Sequence, residues 1–369
     1  MKAVVVGAGP AGSYIAYLLA KQGHNVTLLE DHPQVGIPVQ CTGIVTPAIE
    51  ELVKLPQSVI KAHLARARIF APDNTYVEIK MKPNIILCRA SFDQFLAQKA
   101  QDAGAELLLS HRFISHNEKT IHVKDIAKNE LKQYTPEIVI GADGPSSHVA
   151  KSYGFYGKRS FFLGAQATVK MTDAESIDFY PTPEGIFWSV PEGNNLYRVG
   201  VGVYHNASYI LQNFLHTRCP NKPILEYQGG LIPVYDPTLP IEQDNVYLIG
   251  DAATQVKATT AGGIIQSLTA AKCLAQSIET GESYTTLTKK ALGRELWLHL
   301  KIREIMDRFS PEDYNKLIAY TNTPKIKEIL GTHNRDNLFS FFFKMLLYEP
   351  RYIAFARNFF SKPAVTPLT

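Results

Sequence analysis

Apolar residues run without a break from Ala3 to Val6, stop at a glycine-rich turn, and resume at helical spacing, so the chain opens with a buried strand over residues 2–6. The turn Gly7-Ala8-Gly9-Pro10-Ala11-Gly12 leads into a helix to about Gln22, and a second apolar strand closes on Glu30. Residues 31–46 lose all periodicity, with Pro33, Gly36, Pro38 and Gly43 marking a loop. Alternation predicts a hairpin over 65–80 around Pro72-Asp73-Asn74, then a helix over 91–103 with Ser91 as its cap. Strand-like pieces follow at 106–109, 120–123 and 137–140, the last entering Gly141-Ala142-Asp143-Gly144. Strands at 161–171, 186–190 and 196–204 give the next stretch a β-rich character. Another buried strand, 245–249, runs into Gly250-Asp251-Ala252-Ala253, and a helix spans about 263–278. The remainder is helical, interrupted at Pro311, Pro324 and Pro350.

These elements predict an α/β fold with a Rossmann-like dinucleotide-binding domain assembled discontinuously from residues 1–65, 82–155 and 240–282. Residues 66–81 and 156–239 form a β-rich substrate domain, and 283–369 a C-terminal helical region. No internal repeat or low-complexity segment is present.

The opening unit carries chemistry. Gly7 permits the tight turn, Gly9 lets the backbone approach a pyrophosphate, and Gly12 lets the helix pack on the sheet, whose first N–H groups then face the phosphate charge. Glu30 stands where a carboxylate accepts hydrogen bonds from an adenosine ribose, and it repels a 2′-phosphate. The net charge of +4 is modest, and no basic run marks a nucleic-acid surface. Cys41, Cys88, Cys219 and Cys273 lie far apart, so no zinc or iron–sulfur site is indicated, the histidines suggest no metal site, and a reducing cytoplasmic compartment is expected. No apolar run reaches the ~20 residues that span a bilayer. The aromatic-rich stretches 338–348 and 352–360 read either as helices lying in a membrane interface, with Lys344, Arg351 and Arg357 toward head groups, or as a cap on the core.

Four features together resemble the flavin-binding fold of the aromatic hydroxylase-type superfamily: the glycine turn with Glu30, Arg89 with the helix after it, Gly141 to Gly144, and Asn245 to Ala253. The resemblance implies FAD, held by Gly7, Gly9, Ala11, Gly12, Glu30, Cys41, Arg89, Asp143, Gly250, Asp251, Gly262 and Gly263. Read from the residues alone, Asp251 could be an ordinary helix cap, Asp143 a turn residue and Arg89 a surface cation. Within that superfamily the chain is similar to the geranylgeranyl reductase family, in particular the archaeal digeranylgeranylglycerophospholipid reductases. Pro38-Val39-Gln40-Cys41-Thr42-Gly43 resembles their P-x-x-C-x-G segment. Lys257 to Ile264 resembles their K-x-T-T-G-G-G-I run, with Ala261 replacing a glycine. Phe187-Trp188-Ser189-Val190-Pro191 with Gly200-Val201-Gly202 resembles their substrate motif, although Ile186 and Val190 replace its Tyr and Phe.

An isoprenoid double bond is unactivated, so protonation to a tertiary cation followed by hydride delivery is the easier order. Such a site must be apolar, and the resemblance implies that Phe187, Trp188, Pro191, Gly200 and Gly202 line it. Trp188 can stabilise a cation through its ring face, or serve simply as sheet core. Cys41 is the candidate catalytic thiol, orienting substrate or relaying a proton, against the alternative of a small buried cysteine. With no second glycine fingerprint, electrons are expected from a transient donor, a ferredoxin or NAD(P)H. Three activities follow: saturation of geranylgeranyl chains on a diphosphate or a lipid, flavin-dependent hydroxylation or halogenation of a small ring compound, and a flavin module for electron transfer or membrane docking.

Overall fold

A computed structural model of the chain describes residues 1–332 and 338–360; the rest of the expected C-terminal helical region, 333–337 and 361–369, lies outside the described residues. The first βαβ unit follows the sequence pattern: β1 (Lys2–Val6), α1 (Pro10–Lys21) and β2 (Asn25–Leu29). After β3 (Ile44–Val45) comes a long hairpin, β4 (Ile60–Phe70) and β5 (Tyr76–Leu87), extending beyond the expected 65–80 at both ends because Ile60, Ala62, His63 and Leu64 also pair with Leu87, Ile86, Ile85 and Asn84, past two register shifts. Helix α2 (Arg89–Asp102) starts two residues before the expected cap Ser91. Cys88 takes that place: its carbonyl accepts the Phe92 N–H at 2.8 Å, and the Ser91 hydroxyl turns back to the Cys88 sulfur.

Strands β6 (Glu106–Leu108), β7 (His111–Asn117), β8 (Thr120–Asp125), β9 (Glu130–Tyr134) and β10 (Ile138–Gly141) come next, then the short α3 (His148–Ser152). The chain continues through β11 (Phe161–Lys170), β12 (Ile177–Thr182), β13 (Gly185–Gly193), β14 (Leu196–Val203), α4 (Ala207–Arg218) and β15 (Ile224–Pro233). It then forms β16 (Glu242–Gln243), β17 (Val246–Leu248) and α5 (Ile264–Thr280). The C-terminal helices are α6 (Tyr284–Thr288), a π turn at Lys289–Gly293, α7 (Arg294–Met306), α8 (Pro311–Thr321), α9 (Pro324–Thr332) and α10 (Leu338–Tyr348), followed by a 3-10 helix, Pro350–Phe360. Pro311, Pro324 and Pro350 begin these elements rather than break them, since a proline at the first helical position loses no hydrogen bond.

Three sheets organise the molecule. The first has the order β16-β17-β10-β1-β2-β6, parallel apart from β16, and is the sheet of the Rossmann-like domain the sequence predicts. One face packs on α1, α2 and α5 through Ile15, Leu19, Phe92, Leu96 and Leu268, all buried. The other is covered by the meander β7-β8-β9 and α3, through Phe113, Ile121, Val123 and Val149. The third sheet is eight-stranded, β15-β11-β14-β13-β12-β4-β5-β3, with α4 buried against one face by Leu211, Phe214 and Leu215. Its other face meets the loop 38–43 between the sheets. Among the described residues, no helix is long and apolar enough to cross a membrane.

Candidate functional site

The glycine turn is held by contacts no larger residue could make. Gly7 adopts φ +98°, and a Cβ on it would lie 2.5 Å from the Ala142 carbonyl; a Cβ on Gly12 would lie 1.9 Å from the Gly7 carbonyl. Gly9, by contrast, faces open space. It precedes a helix that starts on Pro10, has no side-chain cap and carries no acidic residue in its first turn. The outcome is a bare, positively polarised helix end, a natural seat for phosphate. Glu30 closes the turn: one carboxylate oxygen accepts the Ala8 N–H at 2.9 Å, the other the His32 N–H at 3.1 Å.

Segment 250–263 comes up beside α1. Gly250, at φ +65°, lies so close to α1 and α5 that a Cβ on it would stand 3.0 Å from the Ala11 methyl and 3.4 Å from the Ser267 Cβ. Asp251 follows, surrounded closely by protein yet with part of its surface still open, and without a hydrogen-bond partner among the described residues. Burial pushes its carboxyl up to about 6, against a lowering by the Arg89 guanidinium. An unpartnered carboxylate in that setting fits a ligand that brings hydroxyl donors. A Cβ on Gly263 would stand 3.3 Å from Asp251 Oδ1, whereas one on Gly262 would meet the Lys257 side chain at 3.1 Å. Ala261, where the resembled motif has glycine, sits at φ +55°, which explains the glycine.

Arg89 is not a surface cation. It is held to Asp93 by three hydrogen bonds of 3.0–3.2 Å, and despite desolvation the two carboxylate oxygens keep its guanidinium more firmly charged than usual. Asp143 accepts from the Ser147 hydroxyl at 2.6 Å and from the Val149 N–H at 3.0 Å, so both of its oxygens serve the start of α3. Burial raises its pKa.

The loop of Cys41 rests on the eight-stranded sheet. Thr42 donates its hydroxyl to Gln166 on β11 at 3.0 Å, Arg198 on β14 donates to the Cys41 carbonyl at 2.6 Å, and the Gln40 side chain covers Gly230 on β15. Gly43, at φ +80°, packs on the Arg89 side chain and gives its N–H to the Cys41 sulfur at 3.4 Å. Cross-strand register puts Trp188, Gly200, Gln166 and Gln228 in one row on this face, with Gly202 beside them. The indole lies over Gly200, where a Cβ would fall 2.5 Å from its ring, and its buried N–H has no hydrogen-bond acceptor among the described residues. Alternation sends Phe187 and Pro191 to the opposite face. There Phe187 packs at a tilt against Phe214 and lines a cavity of about 470 Å³ with Arg68, Tyr180 and Arg218. The expected substrate motif is thus divided: Trp188, Gly200 and Gly202 adjoin the Cys41 loop, and Phe187 and Pro191 do not. Gln166 and Arg198 escaped the sequence reading because polar residues alternating within a strand look like a solvated face.

Residues 1–195 match the FAD binding domain family. Over 350 residues the chain is 30% identical to the digeranylgeranylglycerophospholipid reductase of Methanothrix thermoacetophila, covering 85% of this chain and 90% of that one. The crystal structure of a geranylgeranyl bacteriochlorophyll reductase-like protein from Thermoplasma acidophilum superimposes with a TM-score of 0.83 at 21% identity, over 97% of this chain and 98% of that one. The flavin-dependent halogenase CmlS shares the fold more distantly, at a TM-score of 0.66 and 16% identity, over 96% of this chain and 77% of that one. FAD is the cofactor, and the open side of Gly9 and the unpartnered Asp251 carboxylate fit its pyrophosphate and hydroxyl groups. The chain belongs to the digeranylgeranylglycerophospholipid reductase family of FAD-binding-domain proteins.

Proposed function

We propose that the protein saturates carbon–carbon double bonds of geranylgeranyl chains, carried on a free diphosphate or on a glycerophospholipid. The observation that carries this reading is identity to a reductase of that name sustained over 85% of the chain, well beyond the cofactor-binding half. FAD, when bound and reduced, supplies hydride. The protein's own groups do the rest. Glu30 and Asp251 accept hydroxyl hydrogen bonds, and the bare start of α1 takes the phosphates. Gly7, Gly12, Gly250, Gly262 and Gly263 leave the room this requires, while Arg89 and Asp143 keep their neighbouring turns in shape. Trp188 presents a ring that can stabilise the tertiary cation formed when the alkene is protonated. Cys41 Sγ orients the chain or relays the proton.

The electron donor in this reading is transient, a ferredoxin or a reduced nicotinamide. A lipid substrate also calls for contact with a membrane. Phe343, Leu347 and Ile353 support it, at 61–70% exposed on α10 and the 3-10 helix after it, and Lys344 beside them suits anionic head groups, while Arg351 is paired with Glu349 at 2.6 Å. Co-sedimentation with anionic vesicles, lost in Phe343→Glu/Leu347→Glu, is the expected result; equal pelleting of both proteins would remove the membrane contact.

The test of the reaction is to reduce the FAD-loaded protein and offer geranylgeranyl diphosphate and a digeranylgeranyl glycerophospholipid in separate reactions. The product should gain two hydrogens for each bond reduced. Substrates recovered unchanged, with oxygen-dependent hydroxylation or halogenation of a ring compound instead, would assign the protein to the other branch of its fold.

A further inference from the structure

We infer that Arg198 is a positioning residue that fixes the Cys41 loop against the eight-stranded sheet and thereby sets where the thiol stands. The inference rests on the proposed role of Cys41 and adds how that thiol is held. Arg198 is 5% exposed and shares the face of Trp188 and Gly200. Its Nη1 donates to the Cys41 carbonyl at 2.6 Å, and its Nε pairs with Glu192 Oε1 at 2.6 Å. Glu192, equally buried, pairs through its second oxygen with Lys61 Nζ at 3.1 Å, at the start of β4. The guanidinium therefore spans two jobs at once. Its Nε side lies in ion contact with a carboxylate that is itself paired with a lysine, although Nε and Oε1 are not aligned as a hydrogen bond, and the hydrogen bond of the guanidinium is made by Nη1.

That hydrogen bond goes to the backbone of Cys41. From the other side Arg89, anchored by Asp93, packs on Gly43 and reaches the Cys41 sulfur. The loop is thus gripped between Arg198 of β14 and Arg89 at the start of α2, with the Thr42 hydroxyl on Gln166 as a third hold. A purely structural ion pair would not need this geometry. A lysine could satisfy Glu192, but a single ammonium on a flexible stem cannot reproduce the fork that joins carboxylate and carbonyl.

The test uses the full-length FAD-loaded protein and three variants, Arg198→Lys, Arg198→Met and Cys41→Ser. Each cysteine is alkylated with iodoacetamide, and its rate is read by mass spectrometry. Arg198→Lys keeps the charge beside Glu192, which guards against a variant that fails to fold. The expected result is faster alkylation of Cys41, by about fivefold or more, with Cys219 and Cys273, both buried, unchanged as internal controls. In turnover, kcat should fall by about 10- to 100-fold while KM stays within about threefold and flavin content is unchanged. Unaltered Cys41 alkylation in both arginine variants would overturn the inference, as would a rise shared equally by all cysteines. If Cys41→Ser turns over like the unmodified protein, the catalytic reading of Cys41 fails, while the alkylation pattern still decides whether Arg198 holds the loop.

Discussion

Replacing Asp251 by Asn should stabilise the FAD-free protein while weakening FAD binding. Burial pushes the Asp251 carboxyl from 3.8 to about 6. A carboxyl whose folded pKa lies above its unfolded value is a burden on the native state when ionised. That burden is complete above about pH 6 and gone below 3.8. At pH 7.5 the rise corresponds to about 3 kcal/mol, and at pH 4.5 to about 1 kcal/mol. An amide has the same shape and no charge to desolvate, so the apoprotein of Asp251→Asn should melt higher by about 4 °C at pH 7.5, given the unfolding entropy of a chain this long. The difference should shrink to about 1 °C at pH 4.5. FAD affinity should move the other way, by about 10- to 100-fold, because the amide replaces a charged acceptor. Calorimetry of the apoproteins at both pH values and flavin titration read the two effects. A lower melting temperature in the variant apoprotein, or a difference that does not change with pH, would refute the argument that the carboxylate is buried for the sake of a ligand.

Gly12→Ala places a methyl 1.9 Å from the Gly7 carbonyl, so the turn must open. Purified variant should carry little flavin and be less stable by at least about 1 kcal/mol, seen as a lower melting temperature; a stoichiometric flavin content would contradict the packing argument. Ala261→Gly relieves the left-handed strain at φ +55° and should raise stability by up to about 1 kcal/mol, seen as a small increase in melting temperature with flavin retained. Cys41→Ser should keep its flavin and lose turnover; full turnover would take the thiol out of the mechanism.

How much of this could be read from the chain alone depends on the range of the interactions. The unit from β1 to Glu30 was legible in detail because strand, turn, helix and acidic residue lie within thirty residues and each is locally determined. Asp251 was legible as the end of a buried strand, but its lack of a protein partner was not, since that depends on what α1 and α5 leave open. The eight-stranded sheet was only half visible. Its parallel pairing of β12 with β4 sets Asp178 opposite Arg68, far apart in sequence, and β15 joins β11 across α4. Strands β7, β9, β12 and β15 carry many polar residues and gave no clean alternation. Phe187 and Trp188 show the opposite case: adjacency in a strand already places them on different faces, and a shared motif hid that. Arg198 could be found only once the loop of Cys41 was seen to lie across its strand.

The most direct measurement is an anaerobic single turnover. The FAD-loaded protein is reduced with one equivalent of dithionite and mixed with geranylgeranyl substrate while the flavin absorbance is followed. The yellow absorbance of oxidised flavin should return without oxygen, in proportion to double bonds saturated in the recovered lipid. Flavin that stays reduced with the substrate and reoxidises only when oxygen is admitted would contradict the reductase assignment.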